Sequence, residues 1–88
     1  MDLKAGGVYS INNGNGEYGI AKVLLVKDDL VHIKLYNNTF SKRPKDIDKS
    51  ILFKDENVEI AQMSILKHHF LNWDIEHIKD VPLFDCQL

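Results

Sequence analysis

The stretch EYGIAKVLLVKDDLVHIKLY, Glu17 to Tyr36, decides how the rest of the chain is read. It holds two apolar, β-favouring runs on either side of Lys27-Asp28-Asp29. The pattern predicts a β-hairpin with strands over 17–27 and 30–36 and a tight polar turn between them. In the second strand Val31, Ile33 and Leu35 alternate with His32, Lys34 and Tyr36, which puts the first three on the core face and the others toward water. In the first strand the unbroken run Val23-Leu24-Leu25-Val26 implies burial on both faces, or a strand that bends as it crosses a small barrel, with Gly19 as a candidate bend.

Working outward, Val8-Tyr9-Ser10-Ile11 reads as a short strand, joined to the hairpin by Asn12-Asn13-Gly14-Asn15-Gly16. Asn-Gly steps supply the positive φ that hairpin turns require. This glycine pattern lacks the Lys-Ser/Thr ending of a phosphate loop. On the C-terminal side, residues 37–50 form a polar connection in which Phe40 is the aromatic and Ile47 the aliphatic anchor. Short strands are expected near 51–53 and 58–62. Ser64 reads as an N-cap for a helix over 65–73, with Ile65, Leu66, His69, Phe70 and Trp73 on one face and Asp74–Ile78 adding a further turn. An irregular or edge-strand tail fits 80–84 around Pro82. The expected core is Ile20 or Val23, Leu25, Val31, Ile33, Leu35, Phe70 and Trp73.

Five short strands and a late helix imply a mainly β (α+β) fold: a small SH3-like antiparallel β-barrel with one C-terminal helix, in a single domain over 1–88. The competing architecture is an open antiparallel sheet covered by that helix. With 88 residues the core is modest, leaving little room for a deep enclosed active site. No apolar run reaches the roughly 18 residues that span a bilayer. The N-terminus lacks a signal-peptide pattern, and Cys86 has no second cysteine to pair with. The expected location is the cytoplasm.

The net charge of −2 is unevenly placed. Residues 42–54 carry an excess of three positive charges, through Lys42, Arg43, Lys45, Lys49 and Lys54. Residues 55–88 carry an excess of five negative charges. A dedicated nucleic-acid binder is usually basic overall.

The chemistry-bearing residues do not converge in sequence. His68 and His69 are adjacent, whereas a helical metal pair needs i, i+4 spacing; His69 is expected half-buried beside Trp73. No serine has nucleophile-elbow glycines and no Cys-His pair has a familiar spacing. The expectation is a protein with no catalytic residues, no metal and no cofactor. The basic connection is the candidate binding site, through Tyr36, Phe40, Lys42 and Arg43. Aromatic and guanidinium groups there could anchor a protein partner, or stack on and pair with single-stranded nucleic acid as the alternative. The structural reading of the same residues has Phe40 plugging the loop onto the sheet and Arg43 bonding a carbonyl or carboxylate.

Gly7-Val8-Tyr9-Ser10-Ile11 followed by Gly16-Glu17-Tyr18-Gly19-Ile20-Ala21-Lys22-Val23-Leu24 resembles the N-terminal hairpin of bacterial Imm26-like immunity proteins. His32-Ile33-Lys34-Leu35-Tyr36-Asn37-Asn38-Thr39-Phe40 with Arg43-Pro44, and the segment from Ser64 to Trp73, resemble an uncharacterised family of small bacterial cytoplasmic proteins. The resemblance implies a non-enzymatic barrel that acts by binding another protein, such as a toxin or other basic protein. In that case the acidic residues Glu59, Asp74 and Glu76 offer a second candidate surface.

Overall fold

The alternating runs pair into one antiparallel sheet. The computed structural model describes residues 2–47 and 60–81. Its strands are β1 (Gly7–Asn12), β2 (Tyr18–Lys27), β3 (Leu30–Phe40), β4 (Ile60–Leu66) and β5 (Ile75–Asp80), with a short helix α1 (Lys67–Leu71) between the last two. The spatial order is β4-β3-β2-β1-β5. The fold is therefore mainly β, as the sequence implies. β4 and β5 lie at opposite ends of the order and the sheet is not closed.

The central hairpin forms where it is expected, with Lys27 opposite Leu30 and Asp28 in the left-handed region at φ 54°. The β1–β2 turn uses Gly14 and Gly16 at positive φ, and the Gly14 N–H donates to Asn12 Oδ1 at 2.9 Å. The β2–β3 register shifts between Tyr18 and Ile20 and again between Val23 and Leu25. The first shift falls at Gly19, the expected bend. Such irregularities increase local twist and let a sheet curve around its core.

Apolar residues gather on both faces. On the face that carries α1, Tyr9, Ile11, Ala21, Val23, Val31, Ile33, Phe70 and Ile75 form one cluster, against which Leu3, Val26, Leu35, Ile65 and Trp73 pack. On the opposite, outer face Val8, Ile20, Tyr36 and Ile47 form a second, with Phe40, Ile78 and Val81 packed beside it. The residues after β3 thus fold back over the outer face. Double-sided burial in β2 consequently falls on Gly19–Val23, not on Val23–Val26; beyond Val23 the strand alternates between half-buried and exposed.

Several expectations are corrected. Ser64 is not a helix cap: it lies in β4 opposite His32, while Leu66 precedes the helix in an extended conformation without a side-chain cap bond. Pairing of Leu30 with Leu66 and Val31 with Ile65 holds these residues in the sheet and delays the helix to Lys67. Its first N–H donates to the Asp29 carbonyl at 2.7 Å. Residues 75–78 do not extend the helix. Asp74 turns the chain at φ 53°, and Ile75–Asp80 pairs with the open edge of β1. β3 runs on to Phe40, which pairs with Tyr18, so Asn37 and Asn38 are strand residues. Leu25 is 56% exposed and not core; Leu35 and Trp73 are only partly buried; His69 is exposed. The strand expected at 51–53, the start of the one at 58–62, and Cys86 lie outside the described residues.

Candidate functional site

The basic connection is pinned to the sheet by Arg43. Its Nη1 donates to Ser10 Oγ at 3.3 Å and lies 3.2 Å from Glu76 Oε2. Its Nη2 donates to the Asp74 carbonyl at 3.1 Å and lies 3.5 Å from Asp74 Oδ2. The guanidinium also stacks over Tyr18, 4.9 Å from the ring centre. The Arg43 side chain is only 13% exposed. Asp74 is a hub: Asn12 donates to its carboxylate through Nδ2 at 3.0 Å and to its carbonyl through the backbone N–H at 3.2 Å. One guanidinium thereby joins the loop to β1, to β5 and to the turn before β5. Arg43→Ala should lower stability by about 1–2 kcal/mol, because charge-assisted hydrogen bonds are lost while the two carboxylates stay largely in water. Arg43→Lys should recover only part, since lysine lacks the planar fork. Urea midpoints of the two variants check this.

The four residues singled out from the sequence do lie near one another, with different availability. Tyr36 is buried at 6%, under the loop, with the Lys34 ammonium 5.3 Å from its ring centre. Phe40 packs against the outer cluster, as a plug would. Lys42 is exposed. Of the acidic residues named as the second surface, Asp74 and Glu76 are occupied with Arg43, and Glu59 lies outside the described residues.

A cleft of about 320 Å³ opens beside the β1–β2 turn, lined among others by Ile11, Asn13, Leu35, Asn37, Thr39 and Ala61. Its described lining offers amides and hydroxyls but no carboxylate, imidazole or amine, so it lacks an acid–base pair. Among the described residues no group of three His, Cys, Asp or Glu could hold a metal ion. His68 and His69 stack edge-on, 4.4 Å between ring centres. His77 contacts Asp80 at 3.0 Å, and Lys4 lies 3.0 Å from the same carboxylate. The hydrogen bonds from His77 and Lys4 hold the Asp80 carboxyl below its usual range. Burial, reinforced by the Asp80 charge, pushes the nearby Tyr9 phenol up.

The feature that the sequence did not single out lies at the other end of the outer face. Leu30 stands opposite Leu66, and Leu25 opposite His32. These side chains share the face away from Val31 and Ile33. Leu25 is 56%, Leu30 49% and Leu66 38% exposed. Beside them His32 Nδ1 bridges to Ser64 Oγ at 2.8 Å and its Nε2 lies 3.3 Å from Gln62 Oε1. The result is an exposed Leu30–Leu66 pair flanked by Lys27, with Leu25 diagonal to Leu30 at the end of the row that continues through His32 and Ser64. The available sign in the sequence was Leu24-Leu25, which breaks alternation at the point where the register shifts.

Among the described residues no helix is long and apolar enough to cross a membrane. No protein-family model matches the chain, and no curated protein or solved structure is detectably similar to it.

Proposed function

We propose that this chain is a non-catalytic protein-binding module on an SH3-like frame, and that its contact surface is the leucine strip of the β2–β3–β4 end. The observation that carries the reading is the cross-strand register that sets Leu30 opposite Leu66, with Leu25 diagonal to Leu30 on the same sheet face. Contiguous exposed apolar side chains mark interaction surfaces more often than scattered ones do. Covering three half-exposed leucines is worth on the order of 1 kcal/mol each, and the row His32, Ser64, Gln62 supplies the polar groups that orient a partner. A five-strand order in which β1 sits between β2 and β5 and a short helix precedes β5 supports the SH3-like description.

The loop pinned by Arg43 is a separate surface on which Lys42 is exposed and Lys45 lies 3.9 Å from Glu76 Oε2. With Arg43 held by Asp74 and Glu76, Lys42 and Lys45 are the exposed cations of residues 41–47, which favours a protein over a phosphate backbone. An immunity-like role, binding a toxin, is the form of this function that the hairpin resemblance suggests.

The test is affinity purification from the source cells with wild type and a Leu30→Ser, Leu66→Ser double variant. A protein recovered with wild type and lost by at least about tenfold with the variant is the expected result. The same partner at equal yield would remove the strip from the contact surface. Recovery of nucleic acid alone, with affinity falling steeply as salt rises, would overturn the function.

A further inference from the structure

The two edges of the sheet are treated differently. β5, at one end, reads Ile75-Glu76-His77-Ile78-Lys79-Asp80 and carries charge at Glu76, Lys79 and Asp80. Lys4, Arg43 and Asp46 from neighbouring segments pair with those charges. Charges on an edge strand are a common guard against pairing with another chain. β4, at the other end, reads Ile60-Ala61-Gln62-Met63-Ser64-Ile65-Leu66 and has no charged residue and no proline. It pairs with β3 alone among the described strands, and Ala61, Gln62, Met63, Ser64 and Leu66 are all exposed.

We propose that β4 is a self-association edge: two copies of this chain pair antiparallel through it, about a two-fold axis at Met63, to make one continuous sheet. The occupant is a second copy because the strand is complementary to itself. A two-fold at Met63 sets Ile60 opposite Leu66, Ala61 opposite Ile65, and Gln62 opposite Ser64, with Met63 facing its own symmetry mate. Small meets large in the second pair, and an amide meets a hydroxyl in the third. No pair sets like charges opposite each other, the arrangement that opposes self-pairing of strands. The register keeps residues of one face on one face, as antiparallel pairing requires. A two-fold axis perpendicular to the sheet also leaves both leucine strips on the same side of the dimer. That would make partner binding bivalent; the strip and the edge share Leu66, so the test of self-pairing is placed at Met63 and Ala61, outside the strip.

Sedimentation equilibrium of the full chain from micromolar to millimolar concentration tests this. The average mass should rise from 10.1 kDa toward twice that value. Met63→Lys, at a site already 37% exposed, sets two ammonium groups face to face and should raise the dimer dissociation constant at least about tenfold with an unchanged circular dichroism spectrum. In a Cys86→Ser background, Met63→Cys should form a disulfide-linked dimer under mild oxidation. Ala61→Cys should not, because its symmetry mate lies four residues along the strand, beyond disulfide reach. The cysteine pair keeps the test intact if the lysine variant fails to fold. A chain that stays monomeric throughout overturns the proposal and leaves β4 as an edge for a foreign strand. Equal dimerisation by Met63→Lys, or equal crosslinking by Ala61→Cys, also overturns it.

Discussion

Replacing Phe70 with alanine should destabilise the protein by about 3–5 kcal/mol, the largest effect expected of any single apolar truncation here. Phe70 is fully buried and is the buried residue of α1. It meets Tyr9 edge-to-face at 5.9 Å and Trp73 at 5.6 Å between ring centres. A five-residue helix has no stability of its own, so α1 exists because this ring docks in the larger apolar cluster of the sheet. Removing it empties the middle of the larger cluster and frees the turn that leads into β5. A domain of this size has on the order of 5–10 kcal/mol in hand, so the variant should be partly unfolded at moderate temperature. Leu71→Ala, one residue on and 36% exposed, should stay within about 1 kcal/mol of wild type. Urea midpoints for the pair give the answer. Equal midpoints would mean that the helix is not docked through Phe70.

The central hairpin was legible because two local signals agree there: alternation over Leu30–Tyr36 and a turn at Asp28-Asp29. The segment after it was not, because its local signals conflict. Ile65, Leu66, Phe70 and Trp73 fit a helical period, while Gln62, Met63, Ser64 and Ile65 fit a period of two; short apolar runs satisfy both. What decides is the pairing partner, β3, some thirty residues earlier, and no window around Ser64 contains it. β5 shows the same ambiguity. Ile75, His77 and Lys79 alternate, but only the open edge of β1 makes a strand of them. At the candidate site, Arg43 read correctly as a residue with strong polar bonding, and the sequence left open whether its partner was inside or outside the molecule. Asp74 and Glu76, more than thirty residues away, are the answer. The leucine strip was hidden for a related reason. Leu25 belongs to an apolar run that implies a buried strand, and only the register shift beside Val23 turns its side chain outward.

Gly6→Ala should cost about 2–4 kcal/mol, although glycine-to-alanine changes at compatible sites usually stabilise. Gly6 sits at φ 93°, where an L side chain is strained, and a Cβ there would lie 2.5 Å from the Val81 carbonyl oxygen. The neighbour is backbone, so it cannot rotate away. Gly6 also donates its N–H to the Val23 carbonyl and accepts from the Val81 N–H, each at 2.8 Å. It therefore ties the N-terminal segment to β2 and to the residue after β5, close to the Lys4–Asp80 ion pair. Relieving the clash must separate Gly6 from Val81 and loosen the C-terminal end of β5. Gly14→Ala is the matched control: φ is 88°, but nothing lies within 4 Å of its Cβ, so it carries the backbone strain without the collision. The difference between the two urea midpoints isolates the contact with Val81, and hydrogen exchange at the Val81 amide should accelerate in Gly6→Ala alone. Equal midpoints would show that the chain after β5 is not held by Gly6. Loss of the β5 end should in turn weaken the grip of Glu76 on Arg43, so loop residues 41–47 should lose protection in the same variant before the central hairpin does.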